Sequence, residues 1–260
     1  MLSARSIEII ESSPGWRRHR IEFFDLPEGR MVVKGQRPAR GPWAHRVLNG
    51  IAALAGVPCL KAVPVHGGQK AQDVEVRRLR ALAAVGVRVP KVLHVAQDYF
   101  VMENMGSTNL VCQLAEGGGE IARQAWLRCA QYVLDAHMAG VYFSQCFARN
   151  LIMLPQGVGA IDFEDDPLEV MNLTDAQARD WLAFFQSSLW LLDVSHRWID
   201  EQLDFILSQE TPKVQRALAL AANRLAWLRH LSNNRKLWGR DGIAIRAAAL
   251  HLHRYRLRHP

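Results

Sequence analysis

Between residues 6 and 35 apolar and polar positions alternate in three runs: SIEII, then HRIEFFDL after the turn SSPGW, then RMVVKG after PEG. A period of two interrupted by Pro-Gly turns predicts three antiparallel strands, the third closed by Lys34. The period then changes. GPWAHRVLNGIAALAG and AQDVEVRRLRALAAVG space their apolar residues as one face of a helix, the second stopping at Gly86, and VPKVLHVAQDYFVMENM predicts two further strands around a turn. EIARQAWLRCAQYVLDAHMAG predicts a helix over 120–140, followed by a loop. LIML, PQGVG and AIDF predict a hairpin, and TDAQARDWLAFFQSSLWLL, SHRWIDEQLDFILSQ, PKVQRALALAANRLAWLRHL and GIAIRAAALHLHRYRLR predict helices to the end. A sheet-rich front and a helical back predict an α+β fold of two lobes, residues 1–104 and 105–260 meeting near MENMGS, with small ligands expected in the cleft between them.

Composition narrows the class. With 49% hydrophobic and 22% charged residues among 260, the chain can bury a substantial core and should be globular. Its start places charge and a Pro-Gly turn where a secretion signal needs an unbroken apolar stretch. WLAFFQSSLWLLDV, the most apolar segment, is broken by Gln and Ser and is too short to cross a bilayer, so no transmembrane helix is expected. Four cysteines show neither a CxxC pair nor metal spacing with His, which predicts reduced thiols in the cytoplasm. A net charge of +7 predicts an anionic partner. His137, His251 and His253 have no partners at metal spacing and are expected to pack or face solvent.

The candidate chemistry lies in two pairs. Lys34, closing a strand, and Glu75, on the helix that ends at Gly86, are the residue types that hold the phosphates of ATP and fix the phosphate-binding lysine. A solvated strand-end lysine and a Glu paired to a neighbouring Arg would produce the same letters. Asn150 and Asp162 can converge from a loop end and a strand end to offer oxygen ligands to Mg²⁺, and Glu164, Asp165 and Asp166 add acidic company. A turn that caps a helix start would also explain those acids.

Taken in order, these stretches resemble the protein-kinase-like superfamily, and within it the lipopolysaccharide-core sugar kinases and the aminoglycoside and choline phosphotransferases. VVKG looks like the strand of the phosphate-binding lysine, and EVRRLRALAAVGVRVPKVL like the glutamate helix. YFVMENMGS resembles the hinge, so that Glu103 to Met105 would supply backbone contacts to adenine. LDAHMAGVYFSQCFARNLIML is similar to the catalytic loop, and AIDFED to the metal-binding Asp-Phe-Gly segment. The resemblance covers residues 1 to about 170 and implies ATP and Mg²⁺ as ligands, with a hydroxyl-bearing acceptor. The basic insert RPARGPWAHRVLNGIAALAG also looks like that of the lipopolysaccharide kinases.

The departures are as informative. Aligned on Asn150, the family's His-x-Asp triplet falls on Phe143, Ser144 and Gln145, so an amide stands where the proton-accepting carboxylate is expected. The glycine-rich phosphate loop is reduced to SSPGW with Gly15 alone. Losing a general base costs about 10²- to 10⁴-fold, and phosphoryl transfer relies mainly on positioning and electrostatics. A phosphotransferase with Gln145 orienting the acceptor is therefore expected, with a pseudokinase that binds nucleotide without turnover as the alternative. A basic helical protein that binds a membrane or nucleic acid is a more distant third; nucleic acid is not the expected partner. From Arg224 onward nine Lys or Arg accompany one Asp. The last helix would either pack on its lobe with solvated arginines or lie on an anionic membrane surface, as a glycolipid kinase at the inner membrane would require.

Overall fold

The computed structural model describes residues 2–38, 56–232 and 235–259. The chain begins with helix α1 (Ala4–Ser12), not with a strand. Five alternating residues are too few to fix a period, and Ser3 decides the matter by capping the helix: its side chain accepts from the Ser6 amide. Ser6 and Ile10, four residues apart, then form the buried face. A short helix α2 (Gly15–His19) leads into β1 (Ile21–Leu26) and β2 (Gly29–Gly35).

With β3 (Val92–Val95) and β4 (Tyr99–Glu103) these strands form an antiparallel sheet in the order β1-β2-β4-β3. The pleat sorts the side chains. Met31 and Val33 of β2, with Tyr99 and Val101 of β4, pack against Ile10 and Trp16 on one face. Val32, Phe100 and Met102 point the other way, into the main core, and Lys34 shares their parity. Helix α3 (Gly68–Ala84) follows, carrying Glu75 in its buried stripe. The helix expected over GPWAHRVLNGIAALAG falls, apart from Gly56, outside the described residues.

After the connection through Asn104–Gly106 come α4 (Leu110–Glu116) and α5 (Gly118–Met138). The hairpin is shorter than expected: β5 (Leu151–Leu154) pairs with β6 (Gly157–Ala160), and Ile161 to Phe163 are not strand. Asp162 takes a φ of 72°, which no ladder accommodates. Helices α6 (Leu173–Ser188), α7 (His196–Ser208), α8 (Pro212–Arg224) and α9 (Arg235–Arg258) complete the chain. Trp126, Trp181, Phe184 and Phe185 stack at the centre of this helical half. The result is the expected α+β arrangement, a small antiparallel sheet set against a helical body.

Among the described residues no helix is long and apolar enough to cross a membrane. The four cysteines are unbridged thiols. In the basic last helix, Arg254 and Arg258 spend their charge on Asp200 of α7, and Arg258 reaches Asp204 as well, so that these two pack the helix onto its lobe.

Candidate active site

Lys34 and Glu75 meet. The ammonium sits 2.7 Å from Glu75 Oε1, and the two residues are only 4% and 2% exposed, so neither is a surface feature. Glu75 occupies the middle of a helical stripe formed by Ala71, Arg78, Leu79 and Leu82, the position that faces the sheet. From the other half of the molecule come Asp162, whose Oδ1 lies 3.4 Å from Lys34 Nζ, and Glu164, at 2.7 Å. Glu75, Asp162 and Glu164 bring ligand-capable oxygens within 4.8 Å of one another. Glu164 accepts from Arg20 and Arg37 in addition to Lys34. Arg37 also reaches Asp165 Oδ1 at 3.1 Å.

Burial works against the Lys34 ammonium, but the carboxylates of Glu75, Asp162 and Glu164 outweigh it and raise its pKa. Burial raises Glu75 as well, opposed by Lys34. At 2.7 Å the two groups are in direct hydrogen-bond contact. Glu164 is buried too, yet Lys34 and Arg20 pull its carboxyl down to about 2. The site thus holds anionic charge tightly wherever cations surround it, and Glu164 takes the position of an anion bound by three of them.

Gln145 does not stand alone at the catalytic-loop position. Its Nε2 donates to Asp165 Oδ2 at 3.0 Å, so a carboxylate is present one side chain further on. Burial raises the Asp165 pKa, with Arg37 opposing, and a raised carboxylate is a better proton acceptor near neutral pH. Asn150 donates from Nδ2 to the Gln145 carbonyl at 3.0 Å, which leaves Oδ1 as its atom for a cation. Asn150 and Asp162 both line the cleft, and the Asp162 side chain is 31% exposed. Oxygen donors open to a cavity on one side, with Glu75 buried behind them, fit a hard dication such as Mg²⁺.

The loop carrying these groups is held from below by α6. Asp180, wholly buried, accepts the amides of Phe143 at 2.6 Å and Ser144 at 3.1 Å. Gln177 donates to the carbonyls of His137 and Val141, and Ser187 accepts the amide of Ala148. Ser144 has a φ of 81°, like Asp162 a left-handed conformation costing about 1–3 kcal/mol in a residue with a side chain. Arg20, with a φ of 67°, is a third, and three such residues in one cleft mark backbone held in place by its surroundings. His137 packs, as expected, but it does have partners: Nδ1 lies 2.5 Å from Glu210 and Nε2 3.4 Å from Asp180.

SSPGW is not a reduced phosphate loop. Glu22 folds under the turn, accepting from the Ser13 hydroxyl and from the Trp16 amide at 2.8 Å, and a Cβ on Gly15 would sit 2.4 Å from that carboxylate. The turn's glycine makes room for Glu22. Arg20 and Ile21, just beyond it, line the cleft instead. At the hinge, Glu103 and Met105 both line the cavity. The Glu103 amide is already bonded to the Lys91 carbonyl at 2.9 Å, and its side chain pairs with Arg88, so its own N–H is not available to a base. Gly159 makes space for Met105: a Cβ there would lie 1.9 Å from Met105 Cε. The cavity spans about 1030 Å³ from this hinge to α8 and α9.

Four residues of this site were not singled out from the sequence. Arg20 and Arg37 replace backbone donors by guanidinium groups, and a search for glycines passes over them. Asp180 lies within a helix and Glu210 in the polar turn SQETP. Asp180 was legible in principle, since it falls in register with Ala176, Gln177, Trp181 and Phe184 on the buried stripe of α6.

No protein-family model matches the chain, and no curated protein does. Among solved structures, an ADP-bound crystal structure of aminoglycoside phosphotransferase APH(2'')-Ib is similar over 96% of this chain and 99% of that one, with 12% identity and a TM-score of 0.38. So loose an overlap transfers no residue roles. The assignments that follow rest on the geometry around Lys34.

Proposed function

We propose that the protein is a kinase-like phosphotransferase that moves the terminal phosphoryl group of ATP to a hydroxyl. The observation that carries this is the meeting, in one cavity, of an ammonium from β2 with Glu75 behind it and Asp162 across from it. A triphosphate needs such a fixed cation on one side and a metal-holding carboxylate on the other. Lys34, with Arg20 and Arg37 beside it, would bind the phosphates, and Glu75 would hold Lys34 in place. Asp162 and Asn150 would hold Mg²⁺, which supplies charge neutralisation on the phosphates when bound. The acceptor oxygen attacks the terminal phosphorus as the bond to the ADP oxygen breaks. The hydroxyl proton passes to Asp165, and Gln145 orients Asp165 and the incoming hydroxyl. Glu103 and Met105 would border the adenine, with Glu103 contributing no N–H. The sequence resemblance brings with it lipopolysaccharide-core sugars as acceptors of this chemistry; no residue of the cleft singles them out.

ATP with Mg²⁺ at about a hundred times its Kd should stabilise the native state by about 2.7 kcal/mol, a rise in Tm of roughly 5–10 °C. Lys34→Ala and Asp162→Ala should abolish ATP turnover. Asp165→Asn should keep the ATP-induced rise while lowering turnover by about 10²- to 10⁴-fold. Absence of any rise in the wild type would overturn the proposal. A rise without turnover over a broad panel of alcohols would instead establish a regulatory nucleotide-binding module, a role with which Glu164 occupying the three cations is compatible.

A further inference from the structure

The cleft is chemically lopsided. Among the described residues its acidic lining consists of Glu103, Asp162, Glu164 and Asp165, all at the hinge and around Lys34. The other end is walled by Leu182 of α6, Ala222 and Leu225 at the end of α8, Leu228 in the following turn, and Ile245 and Leu252 of α9. Among the described residues, the charged lining beyond those acids and Arg20, Lys34 and Arg37 is Arg149 and Arg179. Trp227, also lining, is 62% exposed. At about 1030 Å³ the cavity lies at the upper edge of the roughly 300–1,000 Å³ usual for one small ligand.

We infer that the acceptor is an amphiphile: a hydroxyl-bearing molecule with an apolar body and a neutral or anionic head. The inference rests on the phosphotransferase proposal and adds the substrate class. A polycationic acceptor would meet Arg149 and Arg179 in the lining and find each lining carboxylate already paired with a lysine or arginine, so its charges would be desolvated without free partners. A bare sugar would leave the aliphatic wall in contact with water, whereas an alkyl chain or ring system gains about 25 cal/mol per Å² there. With its apolar body on this wall, the molecule presents its head toward Gln145 and Asp165, which line the same cavity.

Binding can be measured without knowing the natural acceptor. n-Dodecyl-β-D-maltoside, kept below its micelle concentration, should bind the wild-type protein saturably by calorimetry, at least about 100-fold more tightly than maltose. Leu225→Glu should weaken that binding at least about tenfold, because a carboxylate would be buried against the chain. The ATP-induced rise in Tm serves as the control of folding and of the nucleotide end. Should Leu225→Glu not melt cooperatively, Leu228→Glu repeats the test from the neighbouring turn. Equal affinity for the maltoside and maltose, or maltoside binding indifferent to the substitution in a folded variant, overturns the inference. Loss of the ATP response in a wild-type protein that still binds maltoside would overturn the phosphotransferase proposal and leave the apolar site standing.

Discussion

In the cleft, Lys34 faces Glu75, Asp162 and Glu164, and one of those carboxylates is 31% exposed to a cavity. In the helical half, His137 lies between Asp180 and Glu210 with no side-chain exposure in any of the three. Both clusters bury ions, and both incur desolvation that their internal contacts must offset. What separates them is where the remaining bonds go. Asp180 and Glu210 spend theirs on the protein itself, on the Phe143 and Ser144 amides and on the Trp181 indole at 2.7 Å. The cleft cluster instead gathers Arg20, Lys34 and Arg37 on one carboxylate, Glu164, at the edge of a ligand-sized space. A sealed cluster with backbone partners sets the shape of a loop. An open one with several cations on a single replaceable anion is suited to bind another anion.

The largest effect that would break this contrast is expected at Asp180. Asp180→Ala leaves the His137 ring short of a buried acceptor and two loop amides unpaired, and should cost about 3–5 kcal/mol in urea unfolding. Turnover should fall with it, since Ser144 and Gln145 lose their anchor. A loss under about 1 kcal/mol would mean that water or a neighbouring group replaces Asp180, and that the loop is not set from below. Glu164 should behave in the opposite way. Glu164→Ala frees Arg20, Lys34 and Arg37 for phosphates, so ATP should bind about 10- to 100-fold more tightly, with a stronger salt dependence, while the ligand-free protein melts lower. Weaker ATP binding in this variant would show that Glu164 assists the nucleotide instead of holding its place.

The legibility of these clusters in the sequence follows the same division. Lys34, Asn150 and Asp162 could be picked out because each sits near a boundary, a strand end or a loop end, and Glu75, inside its helix, because of its spacing to the glycine that stops that helix. Asp180 sits within a helix and Glu210 in the polar turn SQETP, and they act through contacts 36–43 and 29–73 residues away, which no local pattern reports. SIEII misled because a run of five satisfies either period, and the deciding bond, Ser3 to the Ser6 amide, belongs to a residue outside the run. At Gln145 the sequence shows an amide where the resemblance implies a carboxylate. Its hydrogen bond to Asp165 joins residues 20 positions apart, near where Asp162 takes a left-handed φ, and depends on backbone conformation and not on composition.

The smallest expected effect sharpens the contrast by pH. Burial disfavours the His137 cation, yet the bonds from Asp180 and Glu210 outweigh it and raise its pKa above the usual 6.5. A group whose folded pKa is raised contributes its stabilisation in full below the unfolded value and loses it as pH climbs through the folded one. Stability should therefore decline from pH 6.5 upward, with a slope of at most about 1.4 kcal/mol per pH unit for this single proton. Glu164, lowered to about 2, has the reverse sign: its contribution is complete above about pH 4.5 and is lost only as pH falls toward 2. The sealed cluster is thus the one that weakens on the alkaline side and the open cluster the one that weakens in acid. Urea midpoints between pH 6 and 9 should slope downward in the wild type and less so in His137→Gln, which keeps hydrogen-bonding capacity without the titration. An equal slope in both proteins would mean that His137 is neutral throughout, and that the carboxylates beside it are satisfied by the Phe143, Ser144 and Trp181 N–H groups alone.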